Sequence, residues 1–226
     1  MTQLYIANKN YSSWSLRPWV LMRMLDIPFK ERLVPFGGDT DAFRAFSPTG
    51  KVPCLVSAGV PVWDSLAITE YLAERHPVVW PRKVLARTWA RCATAEMHSS
   101  FGVLRERCTF NCGIRVDIGP VPPALQSDLD RLDALWCEGL RKFGGPFLAG
   151  STFGAVDAFF APVAFRIQTY GLRLSEPALA YATRLRELAP MREWEAAALR
   201  ETWRDEAHEA EARAAGRWLE DLRATE

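Results

Sequence analysis

The stretch Asn10-Tyr11-Ser12-Ser13-Trp14-Ser15-Leu16-Arg17-Pro18 gathers three serine hydroxyls where a strand-like segment gives way to a helix-like one. Leu4 to Ala7 reads as a strand, and Leu16 to Leu25 is apolar almost all the way round, the pattern of a core helix. A loop at a helix N-terminus carries free backbone N–H groups and the positive end of the macrodipole, so it favours an anion. Proline is harmless only in the first helical turn, so Pro18 points to Ser15 as the N-cap and leaves Ser12 and Ser13 in the loop, free to donate a hydrogen bond. The alternative is a Ser-rich turn that binds nothing.

The elements that must position these groups follow from the chain order. Asp26-Ile27-Pro28 ends the first helix and Phe29 to Val34 reads as a second strand, which makes a βαβ unit with a parallel pair. Pro35 to Asp39 is a loop, Thr40 to Phe46 is enough for a short helix, and Ser47 to Gly50 is a turn cluster. After Val52-Pro53, Cys54 to Ser57 reads as a strand, Ala58-Gly59 as a tight turn and Val60 to Trp63 as the hairpin partner. Asp64-Ser65 offers an N-cap for a helix with Ile68, Tyr71, Leu72 and Arg75 on one face, ending near His76-Pro77.

Pro77 to Pro81 reads as a linker, and beyond it the pattern contains no convincing strand. Leu85 to Arg107 is helical in composition, with Trp89, Ala93, Met97, Ser100 and Leu104 on one face. Asn111 to Pro123 is a loop, and Ser127-Asp128-Leu129-Asp130 looks like the cap of a third long helix ending at Gly144-Gly145-Pro146. Val156 to Tyr170 is the most apolar helix of this half and its expected core; Ala178 to Leu188 is another, stopped by Pro190. From Met191 on, the Glu/Arg/Ala-rich tail with Trp194, Trp203 and Trp218 reads as a surface helix, packed weakly or against a partner. The fold class is therefore an α/β half followed by an all-α half, with domains at 1–77 and 83–226 joined by a linker at 78–82.

Bulk properties exclude several function classes. With 226 residues the chain can bury a full core, and a net charge of +1 gives no reason to expect a nucleic acid, an anionic membrane or a polyanionic partner. No apolar run is long enough to span a bilayer and no signal-peptide pattern opens the sequence, so the expectation is a cytoplasmic protein. The 5 cysteines, Cys54, Cys92, Cys108, Cys112 and Cys137, form no CxxC pair, which argues against a disulfide framework, a zinc ribbon or a dithiol and predicts no metal. Cys108 and Cys112 could share a helix face but read as ordinary intracellular thiols, and His76 and His98 each stand alone in a helical stretch.

The strand order, Val52-Pro53 before the third strand, Asp64-Ser65 opening the next helix, the linker and the helical half together resemble the glutathione transferase family, whose N-terminal domain is thioredoxin-like. Tyr11-Ser12-Ser13-Trp14-Ser15-Leu16-Arg17 and Asp157-Ala158-Phe159-Phe160-Ala161-Pro162-Val163 look like a bacterial branch close to the zeta class, whose corresponding run is Ser-Ser-Cys-Ser. The resemblance implies catalytic Ser12 and Ser13, a cis bond at Pro53, and a Val52 backbone that pairs with the cysteinyl part of glutathione like an added strand. It also implies that Asp64 and Ser65 clamp the γ-glutamyl end, that Trp14, Arg17 and Lys51 join the glutathione site, and that Trp14, Met97, Phe101 and Arg105 line the second-substrate pocket. Trp14 stands where the zeta and beta classes have a cysteine, so a mixed disulfide at that position is not available. Asp157 looks like the capping carboxylate of the core helix, with Gly154 in place of the usual Ser or Thr. Thr169 stands where the zeta class has a dicarboxylate-binding Arg, so that isomerisation cannot simply be inherited, and Arg166 has no clear place.

The chemistry is consistent. A free thiol with a pKa of about 8.5 is only a few per cent thiolate at neutral pH, and each tenfold gain in thiolate needs about 1.4 kcal/mol of preferential anion stabilisation. A serine hydroxyl at a helix N-terminus supplies stabilisation of this kind, and Arg17 one turn on either adds positive potential or is a solvated or structural arginine. The leading expectation is a detoxifying glutathione transferase: glutathione as co-substrate, a small electrophile as partner, a homodimer as assembly. Glutathione-dependent reduction of disulfides or peroxides, and a non-catalytic binding module on the same fold, are the alternatives.

Overall fold

The computed structural model describes residues 1–38 and 41–224. The first half is a four-stranded sheet in the order β2-β1-β3-β4, with β1 at Gln3–Ile6, β2 at Lys30–Leu33, β3 at Cys54–Ser57 and β4 at Val60–Trp63. β1 runs parallel to β2 and antiparallel to β3, so Leu4 lies between Glu31 and Leu55; β3 and β4 form a hairpin turned at Ala58 and Gly59, both at positive φ. Helices α1, Ser13–Met24, and α2, Ser65–Ala73, cover the sheet, completing the expected βαβ-ββα order of a thioredoxin-like domain. The expected short helix at Thr40–Phe46 begins outside the described residues, and 41–46 is turn, closed by Ser47 N–H to the Phe43 carbonyl at 2.9 Å.

After a single 3₁₀ turn at Pro77–Val79 the chain is mainly helical: α3 at Val84–Ser99, α4 at Gly102–Arg107, α5 at Pro123–Phe143, α6 at Ala155–Tyr170, α7 at Glu176–Glu187, α8 at Ala189–Leu199 and α9 at Glu206–Ala215. Four local expectations give way. The helix expected over Leu85–Arg107 breaks at Phe101, which takes a left-handed conformation at φ 59°. The third long helix starts at Pro123 rather than at Ser127, because proline suits a first turn, and Asp128 instead accepts the Leu104 N–H of α4 at 2.9 Å. α7 ends at Glu187, close to the expected stop, but Pro190 lies in the first turn of a new helix, α8, which starts at Ala189. Cys108 ends α4 and Cys112 lies in the following loop, so the two buried thiols share no helix face.

Strands also appear where none was expected: β5 at Ile114–Asp117 pairs antiparallel with β6 at Arg217–Asp221. The tail is thus tied down, with Trp194 fully buried in α8 and Glu209 and Arg223 buried near the end; of its tryptophans only Trp203 is largely exposed. The alternating pattern of a two-residue-period strand was masked there by charged residues that face solvent.

The core is built around α6, in which Ala155 to Ile167 are all buried and which packs against α1, α3 and α7. Its N-terminus is closed by Asp157, whose carboxylate accepts the N–H groups of Gly154 and Leu148, each at 3.0 Å, and the Tyr181 hydroxyl at 2.8 Å. Gly139 of α5 is required by close approach, since a Cβ there would sit 2.7 Å from the Leu148 carbonyl and closer still to Trp89. α1 is buried on all sides through Leu16, Arg17, Pro18, Trp19, Val20, Leu21 and Met22.

Burial pushes the Asp157 carboxyl from 3.8 up to about 6, against the opposing hydrogen bonds. The folded state therefore holds a proton the unfolded chain has released, and this group's contribution is complete below the unfolded pKa and lost as pH rises through the folded one. The expected loss is about 3 kcal/mol between about pH 4 and 7. Asp157→Asn should be less stable by about 1–3 kcal/mol at low pH, from the lost acceptor, and should lack this decline. Urea unfolding of both proteins across that range checks it; parallel stability profiles would refute the assignment.

Candidate functional site at the N-terminus of the first helix

The loop before α1 folds on one carbonyl: Asn8 C=O accepts the N–H groups of Tyr11 at 3.1 Å and Ser12 at 2.9 Å. Ser13 N–H then bonds the Tyr11 carbonyl at 3.1 Å, and α1 begins. Ser12 is the N-cap: its hydroxyl oxygen accepts the Ser15 N–H at 3.4 Å and lies 2.7 Å from the Ser15 hydroxyl, which itself accepts the Ala7 N–H at 3.3 Å. Ser15 is therefore not the cap but a tie to the end of β1, and Pro18 lies inside the helix beyond its first turn. Pro18 removes only the donor that would have reached the Trp14 carbonyl, a loss that the buried packing of α1 offsets.

This correction separates the two serines. Ser12 spends its hydroxyl on capping, while the Ser13 hydroxyl and the Trp14 N–H have no hydrogen-bond partner among the described residues. Two donors, one side chain and one backbone, thus remain unspent at a helix N-terminus.

The Val52-Pro53 peptide is cis and leads into β3, with Lys51 exposed and Pro53 buried. Asp64 caps α2, accepting the Leu66 N–H at 2.7 Å, and does so at φ 71°, a left-handed conformation that costs a non-glycine residue about 1–3 kcal/mol. Beside it Ser65 is fully buried with its hydroxyl unpartnered. A buried hydroxyl without a partner costs about 1–3 kcal/mol, and an anionic ligand at the α2 N-terminus would recover it. The other Asp64 oxygen lies 3.6 Å from His98 Nε2, so His98 is not isolated in its helix. Burial lowers the His98 pKa, against the pull of Asp64, so the ring is neutral at pH 7 and the contact is polar rather than ionic.

Trp14 joins these pieces. The Arg17 guanidinium stacks on its ring at 3.9 Å and lies 4.9 Å from that of Phe159, His98 meets it edge-on at 5.3 Å, and Arg105 stands 5.8 Å from it. Arg17 is buried with all three guanidinium nitrogens unpartnered, and burial, reinforced by Arg166 and Arg105, holds its pKa well below the usual guanidinium range. Of the proposed pocket side chains, Arg105 donates to the Met97 carbonyl at 2.9 Å, while Met97 and Phe101 are buried in the core cluster. Arg166 donates to the Cys108 carbonyl at 2.7 Å and Thr169 to that of Asn111, so both are committed to the loop after α4. A mostly apolar cavity of about 1340 Å³ lies between the end of α1, the linker and the start of α6; it contains none of the groups above.

Residues 11–75 match the profile of the glutathione S-transferase N-terminal domain. The first domain is thus of the glutathione S-transferase N-terminal type. It is 26% identical over 184 residues to glutathione S-transferase 1 of Dianthus caryophyllus, covering 77% of this chain and 81% of that protein. It is 25% identical over 175 residues to a probable maleylacetoacetate isomerase of Caenorhabditis elegans, covering 76% and 81%. Among solved structures, a Burkholderia glutathione transferase homologue with bound glutathione superposes with a TM-score of 0.66 at 22% identity, over 85% of this chain and 95% of that one. A Tau-class transferase from mango gives 0.68 at 18% identity, over 95% and 98%.

The sequence reading missed Glu201, Glu209 and Arg223, which bond the loop at residues 9–11 from the far end of the chain. Nothing in their spacing marks them; the one available signal was a tryptophan, Trp194, in an otherwise charged tail. The unpaired burial of Arg17 gives a direct test. Replacing buried charged side chains by apolar ones of similar volume is often neutral or stabilising by about 1–4 kcal/mol, so Arg17→Met, which loses no hydrogen bond, should unfold at equal or higher urea concentration. A marked loss of stability would mean that Arg17 holds the fold together.

Proposed function

We propose that the chain is a glutathione transferase in which Ser13, not Ser12, stabilises the glutathione thiolate for attack on a small electrophile. The reading is carried by the division of labour at α1: Ser12 is consumed by the cap, whereas Ser13 Oγ–H and Trp14 N–H are unspent donors one residue apart. Bound glutathione supplies the nucleophilic sulfur. This chain's residues then lower the cost of its negative charge, through the Ser13 hydroxyl, the N-terminus of α1 and the positive field of Arg17 beneath Trp14. The Val52 backbone holds the cysteinyl portion as an added strand. Asp64 takes the α-amino group, and Ser65 with the α2 N-terminus takes the α-carboxylate; the orphaned Ser65 hydroxyl and the left-handed Asp64 fit that clamp. Lys51, exposed beside Val52, adds a cation at the edge.

The electrophile lies against the helical half, beside Trp14 and Arg105, with Met97 and Phe101 supporting the wall from behind. Conjugation and glutathione-dependent isomerisation both need only this thiolate, and the relative named a probable maleylacetoacetate isomerase favours keeping the second in view. Trp14 stands where a resolving or mixed-disulfide cysteine would be needed, which favours transfer over disulfide reduction. The same reading assigns the chain to a Ser-type, zeta-like bacterial branch. It also assigns residues 1–77 to glutathione binding, 78–82 to the linker and 83–226 to the electrophile pocket and dimer contacts of a cytoplasmic, detoxifying homodimer. No helix among the described residues is long and apolar enough to cross a membrane.

The two serines should separate experimentally. Ser13→Ala should raise the thiol pKa of bound glutathione and lower kcat/KM with an activated aryl chloride by about tenfold or more at pH 7, with little change in stability. Ser12→Ala should cost about 1 kcal/mol of stability as a lost cap. A Ser13→Ala protein that conjugates normally would remove Ser13 from the role. Absence of heat stabilisation of the wild-type protein by millimolar glutathione would favour a non-catalytic module instead.

A further inference from the structure

The C-terminal segment reaches back across the whole sequence to one short loop. Glu201 accepts two successive backbone N–H groups, Lys9 at 2.7 Å through Oε1 and Asn10 at 3.2 Å through Oε2. Trp194 Nε1 donates to the Lys9 carbonyl at 3.0 Å, and the Asn10 side chain donates to the Ala198 carbonyl. A second anchor follows at Tyr11, whose hydroxyl donates to Glu209 at 2.7 Å and accepts from Arg223 at 3.2 Å. Arg223 is buried and fixed by Glu209 and by Asp221, the latter at 2.7 Å. The ring of His208 lies 5.1 Å from that of Tyr11, stacked on it.

These bonds end where the candidate chemistry begins. Lys9 and Asn10 lie inside the turn closed by the Asn8 carbonyl, and the Tyr11 carbonyl holds the Ser13 N–H. Each of residues 9, 10 and 11 is therefore fixed by a partner from α8 or beyond, and Ser13 inherits its position from them. A carboxylate that receives two adjacent N–H groups defines the orientation of a peptide unit more strictly than a single bond does, and the buried setting of Glu201 excludes competing water.

We propose that Glu201 is a positioning residue for Ser13, and that the C-terminal segment, through Glu201 and the Tyr11–Glu209–Arg223 anchor, is a brace that preorganises the thiolate site. The segment touches neither the Ser13 hydroxyl nor the clamp at Asp64 and Ser65. It acts through the loop, so its loss should degrade thiolate stabilisation and leave glutathione affinity nearly intact.

The kinetic arm of the test rests on the glutathione reading; the exchange arm does not. Glu201→Ala and Glu201→Gln are compared with wild type and with Trp203→Ala, an exposed substitution in the same segment. In protein without glutathione, amide hydrogen exchange at residues 11–13 should be at least about tenfold faster in Glu201→Ala, with α6 amides unchanged. With glutathione added, ultraviolet titration of the bound thiol should show about tenfold less thiolate at pH 7, KM for glutathione within about twofold of wild type, and the deficit in kcat shrinking as pH rises. Glu201→Gln, which keeps one acceptor oxygen, should fall between, and Trp203→Ala should match wild type. If Glu201→Ala does not fold, Arg223→Met carries the same measurements through the Tyr11 anchor. Unchanged exchange at residues 11–13 in a folded variant overturns the brace. Faster exchange with an unchanged thiol titration overturns the positioning role. If the wild-type protein binds no glutathione, the functional reading fails, and exchange alone decides whether the brace exists.

Discussion

Helix α1 is buried on every side, and that one fact constrains the rest of the structure. A helix N-terminus carries unpaired N–H groups, and when water cannot reach them each must find a partner within the protein or in a ligand. The surrounding sequence meets most of that demand. Ser12 takes the Ser15 N–H, the Tyr11 carbonyl takes the Ser13 N–H, and the preceding residues are supplied with acceptors by Asn8 and, from the other end of the chain, by Glu201. The Ser13 hydroxyl and the Trp14 N–H are what remains. A site of this kind is defined less by the groups that are present than by the ones that the fold leaves unsatisfied after all others are paired.

The same accounting explains why the helical half is arranged as it is. Asp157 closes the N-terminus of α6 from within the protein, using three donors at once, so this helix end is complete and offers nothing to a ligand. α1 and α6 pack together, both nearly devoid of exposed surface, yet one has a closed N-terminus and the other an open one. Their contact also explains the setting of Arg17, which is pressed between Trp14 of its own helix and Phe159 of α6. Its charge is compensated by ring faces rather than by hydrogen bonds, and its field consequently remains available at the nearby helix end.

Much of this could be read from the residues alone. The βαβ-ββα order followed from periodicity and turn residues, the core helix from an unbroken apolar run, and the Val52-Pro53 and Asp64-Ser65 pairs from their places between those elements. The identity of the N-cap could not. Pro18 argued for Ser15, but the cost of an interior proline is one lost bond, and Ser15 had a stronger use in fixing Ala7 at the end of β1. The rule about proline was sound and simply outweighed by a tertiary contact. The C-terminal brace was illegible for a different reason. Buried Glu201, Glu209 and Arg223 have the same composition as a solvated helix, and only their partners, some 190 to 212 positions away in sequence, distinguish them. Strand β6 was hidden likewise, its exposed charged residues resembling those of a surface helix.

Each unusual feature at the front of the molecule has a bland explanation taken singly. Asp64 can be a cap, Ser65 a hydroxyl that happens to be buried, Arg17 a filler between aromatic rings, and Ser13 a residue in a turn. Taken together these explanations require the fold to tolerate a left-handed aspartate, an orphaned hydroxyl and an unpaired buried guanidinium in one region, each costing on the order of 1 kcal/mol or more, in a protein whose whole stability is about 5–15 kcal/mol. At the other end of the chain, by contrast, the buried Arg223, Glu209 and Glu201 all have hydrogen-bonded partners. The contrast argues that the unsatisfied groups are retained for something that binds. On the proposed reading, the ammonium, carboxylate and ionisable thiol of glutathione would meet Asp64, Ser65 and Ser13 in turn.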